Sequence, residues 1–204
     1  SGDGSDTIFA GTGDDVVDAG NGTNYVDAGD GNNTVTTGTG NDKVFSEAGI
    51  DTITTGAGAD YISSGAGDDI IDSGDGGDKI FAGAGDDIIT TGDAAGIQSN
   101  VVDAGAGNDT VTTGDGTAFV VGGTGNDTIT TGSGWDDIVG GDGDDIIDAG
   151  TGRDFVDAGA GNDTMFLHAN NDVEDQFTTL DGGEGFDRLM VDDNIDFAAV
   201  TGPG

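Results

Sequence analysis

Aspartate returns in a nine-residue rhythm along most of this chain: Asp6, Asp15, Asp42, Asp51, Asp60, Asp69, Asp78, Asp87, Asp109, Asp127, Asp136, Asp145, Asp154, Asp163 and Asp187 share one phase, with Asn24, Asn33 and Asn100 standing in it as well. One carboxylate per nine residues, set among glycines, is chemistry for a hard cation that seeks oxygen. It is not chemistry for breaking bonds. His168 is the only histidine and cysteine is absent. The many serines and threonines therefore have no base to activate them, and nitrogen or sulfur ligands for a catalytic zinc are missing. No glutamate closes a twelve-residue loop as an EF-hand requires. The repeated G-x-G is followed by no helix and no long βαβ unit, which removes a dinucleotide loop. The chain reads as a binding or structural protein and not as an enzyme.

The carboxylates belong to a repeat. From Gly2 to Thr91 the chain divides into ten nonads, among them GDGSDTIFA, GTGDDVVDA, GADYISS within GAGADYISS, and GAGDDIITT. A longer unit, residues 92–104, carries an insertion around 93–98; seven further nonads run from Gly105 to Leu167, and Gly183–Val191 (GEGFDRLMV) is a last copy. The unit is G-x-G-x-D-x-U-x-x. U is Ile, Val, Met or Leu in all nineteen copies, and the fifth position is Asp in fifteen, Ala118 being the one exception besides the three asparagines. A disordered acidic tract would not hold both rules in phase. The three residues around U (T-I-T, Y-V-D, I-I-D) are suited to strand, with U pointing opposite to its neighbours. The other six make a turn whose glycines permit positive φ. Two nonads then make one coil, with two short-stranded parallel sheets and the U side chains between them. Such a core is thin, so each coil depends on its neighbours. At about 4.8 Å per coil, nine coils give a rod on the order of 43 Å long.

Totals narrow the partners. The 204 residues carry 41 Asp+Glu against 4 Lys+Arg, a formal net charge of −37. Nucleic acid is excluded, since almost no cation is available to meet phosphate. Apolar runs are only a few residues long, so membrane insertion is not expected. Residues 1–25 show no basic start and apolar core of a Sec signal. A fold that gathers this charge needs it neutralised; roughly sixteen divalent ions would bring about +32, leaving a modestly acidic rod.

The in-phase G-x-G-x-D-x-U-x-x unit over residues 2–167 and 183–191 resembles the RTX (repeats-in-toxin) family of type I secreted proteins. The resemblance implies an all-β, right-handed parallel β-roll (β-solenoid) with two nonapeptides per coil, over 1–167, followed by a C-terminal capping segment, 168–204. It implies multiple calcium ions between turns eighteen residues apart, held by turn carbonyls and by the fifteen aspartates named above, with Asn24, Asn33 and Asn100 as weaker ligands. Asp15, Asn33, Asp51, Asp69, Asp87, Asp109, Asp127, Asp145 and Asp163 form one row. Asp6, Asn24, Asp42, Asp60, Asp78, Asn100, Ala118, Asp136 and Asp154 form the other, expected to be weakest between Asn100 and Ala118. One departure stands out: the family begins each turn with Gly-Gly, whereas here the ninth position is mostly Ala, Thr or Ser, with Gly122 and Gly140 the exceptions within the nonads. The resemblance further implies an extracellular or cell-surface location and folding on export into high calcium. Alternatives are an ice- or surface-binding adhesin segment and the C-terminal roll of a secreted protease or lipase.

Strand alternation sends the flanks of U outward. On one sheet these include Phe9, Tyr25, Phe45, Tyr61, Phe81, Phe119 and Phe155, together with Lys43 and Lys79. This aromatic face is the expected surface for self-association or a protein partner. The other sheet presents Thr34/Thr36, Thr52/Thr54, Thr110/Thr112 and Thr128/Thr130. Residues 168–182 break the repeat and read as a cap, with a short helix or loop over Asp172–Leu180 and His168 at its surface. Trp135 falls in a turn, as an exposed contact or a packed loop residue.

Overall fold

The computed structural model describes residues 1–94, 96, 98–168 and 179–191. Every regular element among them is a short parallel strand, and they build two ten-stranded sheets. The first sheet runs from Thr7–Phe9 through Tyr25–Gly29, Lys43–Ser46, Tyr61–Ala66, Lys79–Ala84, Ser99–Ala106, Thr117–Thr124, Asp137–Asp142 and Phe155–Ala160 to Thr179–Asp181. The second runs from Val16–Gly20 to Arg188–Val191 in the same manner. Strands alternate between sheets along the chain, and each pairs with the strand two places on. Thr7 lies beside Tyr25 and Ile62 beside Ile80, one coil apart. The chain is a two-sheet parallel β-roll.

Alternation along each strand explains the interior. Positions five, seven and nine of the repeat face inward together. Position seven supplies a single file of aliphatics, in which Ile53, Ile62, Ile71, Ile80 and Ile89 are buried. Position nine supplies small side chains beside it, such as Ala28, Thr55, Ser64 and Ala82, also buried. That second inward file was hidden in the sequence by treating the ninth residue as part of the turn. Position five supplies the aspartates. The turns close tightly: Gly65 and Gly67 sit at φ 108° and 137°, and a Cβ on Gly67 would run into the Gly49 carbonyl of the coil before. Only glycine fits there.

Two irregularities leave the register intact. At the 93–98 insertion the step between paired residues rises from eighteen to twenty-two, Lys79 pairing with Val101 and Ile88 with Thr110. Past Leu167 the step is twenty-four: Phe155 pairs with Thr179 and Thr164 with Arg188. Both sheets therefore continue beyond 167. Residues 174–182 (EDQFTTLDG) contain a degenerate repeat with Leu180 in the U position, which sequence reading missed because its first two turn glycines are gone. Thr179–Asp181 is strand, where a helix or loop was expected. The rest of that expected cap, and the segment after Val191, lie outside the described residues.

Outside the two sheets, Ser133–Gly134 pairs with Thr151–Gly152 along one edge. Trp135, beside this patch, is exposed, and the Arg153 guanidinium lies 5.0 Å from its ring centroid. His168 is tied back to the second sheet, its Nε2 3.0 Å from Asp148 Oδ1. On the first sheet's outer face, rings meet in sequence from Phe9 to Tyr25, Phe45, Tyr61 and Phe81, with centroids 5.5–5.9 Å apart.

Candidate metal sites in the turns

Each inward aspartate takes part in a ladder that links one coil to the next. The backbone N–H of Asp51 donates to Asp69 Oδ1 at 2.8 Å, that of Asp69 to Asp87 at 2.8 Å, and that of Asp127 to Asp145 at 2.9 Å. One row runs unbroken from Asp15 through Asn33, Asp51, Asp69, Asp87, Asp109, Asp127, Asp145 and Asp163 to Asp187. The other joins Asp6, Asn24, Asp42, Asp60, Asp78 and Asn100, and resumes with Ala118, Asp136 and Asp154. Its one gap falls between Asn100 and Ala118, where position 118 has no acceptor to offer. There the β-ladder itself runs on into the turn, so that Ser99–Ala106 and Thr117–Thr124 are eight residues each and Asn100 pairs with Ala118. The expected weak point is held by backbone pairing in place of a side chain.

Only one carboxylate oxygen is used by the ladder. The other, Oδ2, is buried without a hydrogen-bond partner in Asp6, Asp15, Asp42, Asp51, Asp60, Asp69, Asp87, Asp109, Asp127, Asp136, Asp145 and Asp163. Asp78 differs, its Oδ2 accepting from the Ser73 hydroxyl at 2.6 Å. Asp187, at the last rung, is exposed. A buried acceptor with no donor costs about 1–3 kcal/mol, more when charged, and this chain repeats it coil after coil.

The asparagines show what that second atom faces. Asn33 keeps Oδ1 on the ladder and donates Nδ2–H to the carbonyls of Gly29 and Gly31, at 3.1 and 3.0 Å. Asn24 does the same to Gly20 and Gly22, and Asn100 to Gly92. An amide therefore supplies hydrogens to the turn carbonyls at the first and third positions. Aspartate puts an oxygen in the same seat, so carboxylate and carbonyl oxygens converge with no hydrogen between them. Such a seat calls for a cation. In the asparagine turns, expected from sequence to hold weaker ligands, the amide donates to these carbonyls.

Electrostatics point the same way. Burial pushes Asp87 and Asp127 up to about 7 and Asp60, Asp145 and Asp154 up to about 6; the N–H donated by the coil before opposes this, and neighbouring carboxylates add to it. Among the described residues no three carboxylate or histidine side chains converge on one point. A cation held here must take much of its shell from the backbone, which suits calcium, with its six to eight oxygens in flexible geometry.

A family model, the RTX calcium-binding nonapeptide repeat, matches residues 1–35, 36–71, 65–98, 94–119, 112–147 and 139–174. The chain belongs to the RTX calcium-binding nonapeptide-repeat family. No curated protein sequence matches it. RTX repeats bind several calcium ions along their length, and the repeat is a structural unit with no catalysis of its own. The donor set of this chain fits that role: a carboxylate oxygen left over by the ladder, facing carbonyls freed by the glycine turn.

Proposed function

We propose that this chain is the calcium-folded structural module of a secreted or cell-surface RTX protein. The buried, donorless Oδ2 in turn after turn is the observation that carries the reading. Asp15, Asp42, Asp51, Asp60, Asp69, Asp87, Asp109, Asp127, Asp136, Asp145, Asp154 and Asp163 hold calcium together with the turn carbonyls, Asp6, Asp78 and Asp187 contributing at the margins. Calcium supplies positive charge where the carboxylates stack, and so couples folding to the ion by mass action. Low intracellular calcium keeps such a chain unfolded for export, and the millimolar ion outside folds it. Circular dichroism tests this: the chelated chain is expected to be coil, with cooperative β signal on adding calcium. β content unchanged by chelation would sink the proposal.

The aromatic face supports association with a second copy. Phe9, Phe81, Phe119 and Phe155 are exposed by 69, 37, 39 and 47 %, and contiguous apolar surface of this kind marks contacts. Lys43 and Lys79 lie among the rings, Lys43 paired with Tyr25 and Tyr61, and soften repulsion between two acidic rods. Sedimentation of the calcium-loaded chain against Phe45→Ser/Phe81→Ser decides it; a native monomer, or assembly indifferent to the change, removes this face as the contact. The ice-binding alternative draws on threonines in register, Thr34 with Thr52 and Thr110 with Thr128. Each array spans two coils before isoleucine and aspartate interrupt it. A thermal-hysteresis measurement at saturating calcium tests that reading.

A further inference from the structure

We propose that the ninth residue of the repeat sorts the turns for calcium, and that the tightest ions sit in tandem at Gly122–Asp127 and Gly140–Asp145. This rests on the calcium reading of the turns above and says which of them matter most. The ninth side chain points at Oδ2 of the aspartate five residues on and at the carbonyl of the ninth residue one coil later. In several of the turns where it is Ser or Thr, the hydroxyl takes up that place. Thr37 donates to the Thr55 carbonyl at 2.9 Å, Thr55 to Ser73 at 3.0 Å and Ser64 to Ala82 at 3.0 Å, while Ser73 turns instead to Asp78 Oδ2 at 2.6 Å. Where the residue is Ala, as at Ala28, Ala82, Ala104 and Ala158, a fully buried methyl lies in the same file.

Gly122 and Gly140 do neither. A Cβ placed on Gly122 would lie 2.5 Å from Asp127 Oδ2 and 2.6 Å from the Gly140 carbonyl oxygen. One on Gly140 would lie 2.5 Å from Asp145 Oδ2 and comparably close to the Ala158 carbonyl. Those separations are too short for carbon, and they match the calcium–oxygen distance of about 2.3–2.6 Å. Both Oδ2 atoms lack a donor, and both aspartates are 1 % exposed. Two successive coils on one edge thus bring a carboxylate and a carbonyl of the next coil to cation distance from a single point that no side chain occupies.

The opposite edge takes another course. Its ninth residues are Thr37, Thr55, Ser73, Thr91, Thr113 and Thr131 over six successive coils, and its fifth positions lose their charge at Asn24, Asn100 and Ala118. Hydroxyl groups line it, and three of its nine fifth positions are uncharged, whereas the edge bearing Asp127 and Asp145 loses a carboxylate only at Asn33.

Calorimetric titration of the full chain with calcium, in competition with a chelator, tests the sorting. The native chain is expected to show a tight class of two ions above a weaker remainder. Gly122→Ala/Gly140→Ala should weaken that class roughly tenfold or more, by crowding the shell, while circular dichroism at saturating calcium still reports a roll. Gly182 already stands five residues before Asp187, but that aspartate is exposed; the reverse substitution, Ala158→Gly, sets a glycine before the buried Asp163 and should add one ion to the tight class. It decides the matter alone if the double variant fails to fold. A tight class that survives the double variant, or an unchanged tight count in Ala158→Gly, overturns the sorting and leaves the calcium function standing. A native chain that takes up no calcium overturns that function and the sorting with it.

Discussion

A single atom separates the two kinds of turn in this molecule. Aspartate and asparagine have nearly the same shape, and both give one oxygen to the ladder; the second atom is an unsatisfied oxygen in one and a donating nitrogen in the other. Asp87 is a clean place to exchange them, since the residue before its turn is Ala82 and no hydroxyl interferes. Asp87→Asn should let the amide donate to Gly83 and Gly85 as Asn33 does to Gly29 and Gly31. The calcium-free chain should gain about 1–3 kcal/mol, the cost of the orphaned acceptor, and calcium stoichiometry should fall. The β signal of the native and variant chains in chelator plus a stabilising osmolyte, paired with a calcium titration, checks both; less β signal in the variant would contradict the amide's role. The phase of the aspartates was legible in the sequence, because nothing else recurs so strictly beside the aliphatic U. Their neighbour at position nine was not, because Ala, Ser and Thr read as turn residues until alternation through five, seven and nine is followed inward.

Among the elements, the strands draw on two supports of different strength. The inward aliphatic file is one residue wide, so a deletion there has no second layer to compensate. Ile71→Ala should cost about 2–5 kcal/mol, measured by calcium-loaded chemical denaturation. The outward rings are a smaller support that sequence reading assigned wholly to partners. Phe45 stacks on both Tyr25 and Tyr61, and each such pair is worth about 0.5–1.5 kcal/mol. Phe45→Ala should therefore destabilise the monomer more than Phe155→Ala, for which no ring contact accompanies the exposure; equal losses would mean the stack contributes nothing. The strand alternation that defines this face was readable from T-I-F and Y-V-D alone. The diagonal meeting of Phe and Tyr across coils was not, because it depends on register. The strand at Thr179–Asp181 escaped for a different reason: the sequence before it lacks the two glycines of the repeat, and only Leu180 followed by Asp181-Gly182 betrays the unit.

At the scale of the whole molecule, calcium and protons act on the same carboxylates with opposite preferences. In the calcium-free roll, burial raises Asp87 and Asp127 to about 7 and Asp60, Asp145 and Asp154 to about 6, above the unfolded value of about 3.9. A carboxylate raised on folding contributes stability that is complete below its unfolded pKa and is lost as pH climbs through the folded one. Metal-free chain should thus be most folded near pH 4 and lose structure between about pH 4 and pH 7. Far-UV circular dichroism of chain stripped of calcium follows this directly, and a signal that improves with rising pH would contradict it. With calcium present the dependence should reverse, since protons then compete with the ion.

The eighteen-residue step between paired strands stretches to twenty-two at the insertion and then resumes, and it stretches to twenty-four at the last described rung without loss of register. Apart from the Asn100–Ala118 rung, each described rung meets the next through the same atoms. Such a molecule has a ruler without a stopping mark: its length is a copy number, altered by gaining or losing whole pairs of nonads. Removing residues 47–64 would join Ser46 to Gly65 with phase, sheet parity and both aspartate rows preserved, giving a rod one coil shorter. Recombination between repeats of the gene, in steps of eighteen residues, would lengthen or shorten the rod by whole coils.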